Sequence, residues 1–303
     1  DLHVRSRRQR QMCIRDRFTS LPNLLNMLRA SAYIFIAAVG MTYVLCGRGL
    51  DLSIGSQVGM SGVVLGALMV WWNVPIVLAI FIALLVGALA GAINGFFVVV
   101  LRVPPFIATL ATFYGYRGIL EGVTKGTPIS PMPESFKIIG LGSLFGVAYV
   151  IWFMIFLFIV ATFVLRKTKY GRYTLAMGGN PQSTRLAGIS TKKLTFSLYV
   201  LMGVLACIAG IFFTSRFSSA LPTLGVGMEL KVIAACIIGG VSLFGGAGSI
   251  LGTLIGSMFL VVLDNGMIMA HISGYWQQAI VGLIIIIACV IDLFRKGDLT
   301  RKD

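Results

Sequence analysis

The chain has 303 residues, of which 57% are hydrophobic and 12% are charged, and so much apolar surface cannot be buried in the core of a water-soluble protein of that length. Its mean hydropathy of +0.93 therefore excludes a soluble globular protein and predicts an all-α, polytopic membrane protein. The formal net charge of +15 is carried by an N-terminal run and by residues that flank apolar segments, which indicates membrane topology and no nucleic-acid partner.

The chain begins with an arginine-rich segment, residues 1–17. This segment has neither the apolar core of a signal peptide nor the period of an amphipathic surface helix. We expect it to be non-native sequence, with a genuine basic tail as the alternative. Residues 18–295 are expected to form one transmembrane domain, and residues 296–303 a cytoplasmic tail.

Nine apolar spans follow the N-terminal segment. Several of them are shorter than the roughly 20 residues that a full crossing needs, so we expect some broken or re-entrant helices around a cavity. The spans are 30–46, 54–72, 75–101, 106–120, 143–166, 195–215, 229–244, 249–268 and 276–294.

Small residues at four-residue spacing mark where two helices pack closely. They are Gly87, Gly91 and Gly95 in one span, and Gly252 and Gly256 in another. We expect both sets to be helix contacts.

Polar residues in the apolar spans have two open interpretations each. Asn94 either bonds to a neighbouring helix or lines a solute pathway, and we favour the pathway. Asp51 begins a helix, where a carboxylate favours the positive end of the dipole, and capping is favoured over solute contact. Arg117 and Glu121 are four residues apart and are predicted to pair. Asp264 is predicted to cap a helix, with a pathway role as the alternative.

The longest polar interruption is residues 166–193. It carries seven basic residues and no acidic one, which predicts a cytoplasmic location by the positive-inside rule. Asn180 as N-cap, Pro181 at the first helical position and Gly188 as a left-handed stop predict a helix of about two turns, from Pro181 to Ala187. So short a helix needs packing against something, so a protein-docking surface is favoured over a solvated loop that only sets topology.

Four stretches together resemble the permease subunits of ATP-binding-cassette importers of the ribose type, in the branched-chain amino acid and monosaccharide permease superfamily, whose relatives include autoinducer-2 permeases. The resemblance covers about residues 18–295. The stretches are GLDLSIG (49–55), NGFFVVVLRVPPFIATLATFYGYRGI (94–119), GRYTLAMGGNPQSTRLAGI (171–189) and MELKVIAACIIGGVSLFGGAGSILGTLIG (228–256).

The resemblance implies a multi-pass protein of the bacterial plasma (inner) membrane that works with a second permease copy, an ATP-binding subunit and an extracytoplasmic solute-binding protein. It implies that 166–193 is a cytoplasmic coupling loop. It also implies ten helices, the first of which is expected to be missing here. The expected ATPase-coupling residues are Gly179, Asn180, Pro181, Arg185 and Gly188.

The sequence contains no GxxxxGK[ST] motif, so the chain is predicted to be a transporter subunit that leaves ATP hydrolysis to a partner and is not an enzyme. A sugar needs hydroxyl and amide partners, and the predicted substrate pathway therefore comprises Asp51, Ser53, Asn94, Thr109, Thr112 and Gln277. No cofactor and no metal site are expected. The alternatives are autoinducer-2 or another small polar solute, and an ion-coupled secondary transporter, which would place ionisable residues at mid-membrane.

Overall fold

The computed structural model describes residues 18–296, and this part of the chain is a bundle of helices. A short antiparallel hairpin, β1 (Ser143–Leu144) and β2 (Val147–Ala148), interrupts it. The helices are α1 (Leu21–Cys46), α2 (Ile54–Gly66), α3 (Ile76–Val99), α4 (Pro105–Thr124), α5 (Glu134–Leu141), α6 (Tyr149–Lys167), α7 (Lys169–Gly179), α8 (Pro181–Leu186), α9 (Thr191–Phe217), α10 (Met228–Ile238), α11 (Ile250–Met269) and α12 (Gly274–Lys296). The predictions for residues 1–17 and for most of the C-terminal tail lie outside the described residues.

Each of the nine predicted apolar spans overlaps one helix. The helices are α1, α2, α3, α4, α6, α9, α10, α11 and α12, although residues 143–148 of the fifth span form the hairpin and residues 239–244 of the seventh lie in a loop. Within residues 18–296, six helices are long and apolar enough to cross a membrane: α1, α2 with its π-helical extension Ala67–Trp71, α3, α6, α9 and α11. Helix α10 has 11 residues and is only about 16 Å long, half the hydrocarbon thickness of a bilayer. The prediction of an all-α polytopic membrane protein is confirmed.

The first glycine seam is a close contact between α3 and α9. A Cβ atom on Gly91 would lie 2.1 Å from the carbonyl oxygen of Tyr199, and one on Gly87 would lie 2.7 Å from that of Gly203. No side chain fits there, so the glycines let the two backbones approach. This part of the packing prediction is confirmed.

The second glycine seam joins α10 to α11. A Cβ atom on Gly256 would lie 2.0 Å from the carbonyl oxygen of Ala235, and one on Gly252 would lie 1.9 Å from that of Gly239. The short helix is thus held against its successor by backbone proximity, as the sequence predicted.

The bundle has two ends. At one end, the amide of Gly246 donates to the carbonyl of Cys46, where α1 ends and α7 and α8 pass nearby. At the opposite end, Ile129 and Ala220 form an isolated β-bridge that ties the loop after α4 to the loop after α9. Successive long helices connect these ends, as expected of membrane-spanning segments.

The predicted pairing of Arg117 with Glu121 is wrong. Arg117 is only 8% exposed, and its Nη1 donates to the carbonyl oxygens of Pro222 and, at 3.1 Å, Leu224. Glu121 lies on the exposed side of α4. The 218–227 segment, which follows α9, folds back along the bundle. Its carbonyl groups therefore lie close to the Arg117 guanidinium and accept its hydrogen bonds in place of the Glu121 carboxylate. Arg117 is therefore an interior residue of the bundle.

The predicted capping role of Asp264 is also wrong, because α11 continues to Met269. Asp264 instead forms an ion pair with Lys231 of α10. The next residue, Asn265, exchanges two amide hydrogen bonds of 3.1 Å with Asn23 of α1. Both contacts join residues far apart in the chain, so the spacing of residues in the sequence could not predict them.

Candidate docking helix and polar cluster

Helix α8 has the capping that its sequence predicts. The Oδ1 atom of Asn180 accepts hydrogen bonds of 3.0 Å from the backbone amides of Gln182 and Ser183, two of the donors that a helix start leaves unpaired. Pro181 stands at the first helical position, and Gly188 has a φ of +79°, the left-handed conformation that stops a helix. The helix ends one residue earlier than predicted, with Ala187 as its C-cap.

The outer side of α8 is exposed. Arg185 and Leu186 are exposed, and Leu186 exposes 84% of its surface, which is unusual for a large apolar side chain outside the lipid-facing helices. On the inner side, Thr184 is buried and its hydroxyl donates to the carbonyl of Asn180. An apolar residue beside basic ones suits contact with an acidic protein surface that has an apolar centre.

An open cavity of about 480 Å³ lies beside the α8–α9 turn. Tyr170 and Tyr173 of α7 form one wall, and Ser190 and Lys193 are on the other side. Burial raises the pKa of the Tyr170 hydroxyl, so this group stays neutral and shares a 3.1 Å hydrogen bond with Ser197. The cavity extends the surface that α8 presents.

A polar cluster lies inside the bundle, where the 47–53 loop meets α2, α3 and α4. The Oδ1 atom of Asp51 accepts from the backbone amide and hydroxyl of Ser53, at 2.8 Å and 2.6 Å. Its Oδ2 atom accepts from Asn94 at 3.2 Å and from Gln57 at 3.3 Å. We call Asp51, Ser53, Gln57, Asn94 and Thr112 the polar cluster.

Asn94 is the centre of this cluster and is fully buried. Its Nδ2 also donates to the Ser53 hydroxyl at 2.8 Å, and its Oδ1 accepts from the Thr112 hydroxyl at 2.7 Å. The amide thus links the loop before α2 to α4. The bond from the Ser53 amide to Asp51 lies in the loop before α2, because Ser53 is itself the N-cap residue and the helix start has no side-chain cap bond. The predicted capping role of Asp51 is therefore wrong, and its carboxylate instead bonds within the polar cluster.

The remaining predicted pathway residues lie beside or apart from the cluster. The Thr109 hydroxyl is buried and donates to the carbonyl of Pro105 at 2.8 Å, one turn of α4 from Thr112. Gln277 lies on α12, where its Nε2 donates to the carbonyl of Ile272 at 2.9 Å. Within the described residues, no hydrogen bond joins Gln277 to the polar cluster.

Gln57 and Glu229 are two interior polar groups near the cluster that the sequence analysis did not name. Gln57 is four residues after Ser53 on α2, and its Nε2 donates to the Ser53 hydroxyl at 2.6 Å, so helical spacing could have found it. Glu229 lies beside α2, where a Cβ atom on Gly55 would come 2.3 Å from its Oε2. No local pattern indicates that contact. Over residues 18–296 the structure shows no group of three or more His, Cys, Asp or Glu side chains that could hold a metal ion.

The comparisons with known proteins agree on one family. The family described as "Branched-chain amino acid transport system / permease component" matches residues 23–289. The ribose import permease protein RbsC of Haemophilus influenzae is 42% identical over 279 residues, which cover 91% of this chain and 86% of that protein. No solved structure matches the chain.

Two further relatives carry other transport names. The xylose transport system permease protein XylH of Haemophilus influenzae is 32% identical, covering 92% of this chain and 91% of its own length. The autoinducer 2 import system permease protein LsrC of Escherichia coli is 38% identical, covering 88% of this chain and 78% of its own length. Because the family matches almost the whole helical bundle, the chain belongs to the family of permease components of branched-chain amino acid transport systems and is a multi-pass protein of the bacterial inner membrane.

Proposed function

We propose that the chain is the membrane-spanning permease subunit of an ATP-binding-cassette importer for a simple sugar such as ribose, with ATP hydrolysed by a separate subunit. The similarity to a ribose import permease over 91% of the chain supports the substrate class. The observation that carries the proposal is the capped, outward-facing α8 within a strongly basic segment, because an importer without its own nucleotide site needs such a docking element.

In this proposal α8 docks into a cleft of the ATP-binding subunit. Asn180, Pro181 and Gly188 define where the helix starts and stops, and Arg185 with the neighbouring Leu186 contacts the partner. Gly179, whose missing side chain leaves open space within 4 Å, keeps the approach to α8 clear. Since the helix is short, its shape in the free subunit depends on these caps.

The other partners follow from the same architecture. A second copy of the permease completes the pathway, and a solute-binding protein delivers the sugar at the end of the bundle opposite α8. The loop between α4 and α6, which includes α5, lies at that opposite end and is the proposed receiving surface.

The substrate pathway remains a proposal. Asp51, Ser53, Asn94 and Thr112 bond to one another inside one subunit, and Thr109 lies next to them. Solute reaches these groups only when the 47–53 loop, α3 and α4 separate. The alternative role of the same bonds is to hold these three elements together.

The competing proposals are import of autoinducer-2 or another small polar solute, and ion-coupled transport. The 38% identity to an autoinducer 2 permease supports the first of them. The second gains some support from the buried Asp51 and Arg117, because ionisable groups inside a membrane domain are typical of ion-coupled carriers. Arg117, however, bonds to backbone carbonyl groups, which is a structural arrangement.

The test is reconstitution of the permease, with the ATP-binding subunit that co-purifies and its solute-binding protein, in proteoliposomes supplied with labelled ribose. ATP-dependent uptake supports the proposal. Uptake driven by a proton or sodium gradient without ATP contradicts it, and uptake of autoinducer-2 but not ribose supports the first competitor.

Replacing Pro181 and Arg185 together (Pro181→Gly, Arg185→Glu) tests the docking role. We expect loss of the ATP-binding subunit on purification and at least a tenfold drop in uptake, because the first change releases the helix start and the second reverses the contact charge. The thermal unfolding of the permease should stay normal, since the helix is local. Normal complex yield and uptake would exclude α8 as the docking element.

A further inference from the structure

Three segments of the backbone meet beside the proposed docking helix. They are the end of α1, the end of α7 and the loop between α10 and α11. Gly178 of α7, Gly245 and Gly246 of the loop and Cys46 of α1 form the contact, which we call the glycine junction.

The glycine junction leaves no room for side chains. A Cβ atom on Gly178 would lie 1.8 Å from the carbonyl oxygen of Cys46 and 2.4 Å from the amide nitrogen of Gly246. A Cβ atom on Gly246 would lie 2.8 Å from the backbone of Gly179. A Cβ atom at any of these distances would force a neighbouring atom to shift, so positions 178 and 246 both require glycine.

A hydrogen bond and special backbone conformations complete the junction. The amide of Gly246 donates to the carbonyl of Cys46 at 3.0 Å. Gly245 and Gly246 have φ values of +83° and +77°, which residues with side chains rarely adopt. The loop is therefore shaped to bring its backbone against α1 and α7.

The position of the junction relates it to α8. Gly178 is two residues before Asn180, the N-cap of α8, so the junction is the contact of the bundle nearest to the docking helix along α7. The other two segments of the junction, the end of α1 and the loop between α10 and α11, connect to the interior of the bundle. Helix α1 continues through the 47–53 loop to the polar cluster, and the 239–249 loop carries α10 and α11, which are themselves joined at Gly239 and Gly252.

We propose that the glycine junction transmits movement of the docked α8 to the 47–53 loop, which carries Asp51 and Ser53 of the polar cluster, and to helices α10 and α11. Gly178 is then a positioning residue for transport. This rests on the proposed function of α8. Close-packed backbones have no gap to absorb a displacement, so a shift of α7 moves the 239–249 loop and the end of α1 with it. If α8 were linked to the bundle only through flexible side chains, changes in their rotamers would absorb the displacement before it reached the 239–249 loop.

Hydrogen exchange on the wild-type complex tests the transmission without a mutation. The complex of permease and ATP-binding subunit is compared without nucleotide and with ATP under conditions that block hydrolysis. We expect the exchange rate of a peptide covering 242–248 to change several-fold, because the Gly246 amide bond sits in the moving contact. A peptide covering 180–188 should change as well. Change at 180–188 without change at 242–248 overturns the transmission role. The free permease is measured as well, and equal exchange at 180–188 in the free permease and in the complex overturns the docking role of α8.

Two glycine-to-alanine variants provide the second test. Gly178→Ala places a methyl group inside the junction, whereas Gly266→Ala on α11 places it where nothing lies within 4 Å. For Gly178→Ala we expect complex formation and ATP hydrolysis to persist while ribose uptake falls at least tenfold. For Gly266→Ala we expect all three to be normal.

The split between hydrolysis and uptake is the readout that a merely structural role would not produce. Normal uptake by Gly178→Ala overturns the proposal. If Gly178→Ala fails to assemble, the wild-type exchange experiment decides it alone.

Discussion

At the scale of single residues, buried polar groups in this protein bond to partners that the sequence does not place beside them. Asn94 connects Asp51, 43 positions earlier, to Thr112, 18 positions later. Arg117 reaches a carbonyl 107 positions later. An unpaired polar group inside a membrane domain costs free energy, so these bonds determine which backbone segments stay together.

Asn94→Ala is expected to lower the stability of the folded permease by about 1–3 kcal/mol, because Asp51, Ser53 and Thr112 each lose a buried partner. Uptake per folded molecule stays near normal if the bonds of Asn94 only hold the three segments together, and it falls strongly if Asn94 lines the proposed pathway. Thermal unfolding in detergent and ribose uptake measure the two effects. Normal stability with strongly reduced uptake would instead establish Asn94 on the solute pathway, the role that the sequence favoured.

Arg117→Leu should destabilise the fold by about 1.5–3 kcal/mol, because the carbonyl groups of Pro222 and Leu224 lose a charged donor. Proteolysis of the 218–227 segment should become faster, since Arg117 holds that segment on α4. The control is Lys192→Leu, which removes an exposed charge and should leave both measurements unchanged. Unaltered proteolysis of the Arg117 variant would show that the segment is held by other contacts.

At the scale of elements, helix pairs are fixed by glycines at their contacts. The seam of α3 with α9 and that of α10 with α11 each exclude even a methyl group. Between helices in lipid, close packing replaces much of the hydrophobic driving force available in water. Helix α4, by contrast, has glycines with open space beside them.

Gly91→Ala should destabilise the permease by about 1–3 kcal/mol, because the added methyl group meets the Tyr199 backbone and forces α3 away from α9. Gly115→Ala on α4 makes the same chemical change where nothing lies within 4 Å. We expect this variant to unfold at the wild-type temperature or slightly higher, owing to the better helix propensity of alanine. Equal unfolding temperatures for both variants would argue against the seam.

At the scale of the whole molecule, the bundle separates two surfaces. The basic segment with α8 lies at one end, and the loop with α5 lies at the other. Between them, α3 and α6 expose large apolar side chains such as Phe81 and Phe163. These faces are suited to lipid, so the two ends face opposite sides of the membrane.

A cysteine at the exposed Ser130 should react with an impermeant thiol reagent applied to intact cells, because the loop after α4 is proposed to lie outside. A cysteine at Ser183 of α8, also exposed, should react only after the membrane is opened. Both are made in a background with Cys13 and Cys289 replaced by serine. The reverse labelling pattern would invert the topology.

Much of the fold was predictable because its signals are local. Apolar runs predicted nine of the helices, six of which are long and apolar enough to cross a membrane. Glycine spacing predicted both seams, and three residues around α8 predicted where it starts and stops. Capping and close packing of neighbouring turns act over a few residues, so they are visible in a sequence.

The tertiary structure alone decided which polar groups meet. The 218–227 segment folds back along the bundle. Arg117 therefore donates to carbonyl groups of this segment and does not pair with Glu121, and Glu229 lies beside α2. Asp264 pairs with Lys231, 33 positions earlier in the chain. Gly178 lies against the carbonyl of Cys46, 132 positions earlier. The sequence by itself determined the class of protein, its helices and the start of α8. The contacts between distant segments depend on how the helices are arranged, because a hydrogen bond or a close backbone approach requires proximity in space that no spacing along the chain encodes.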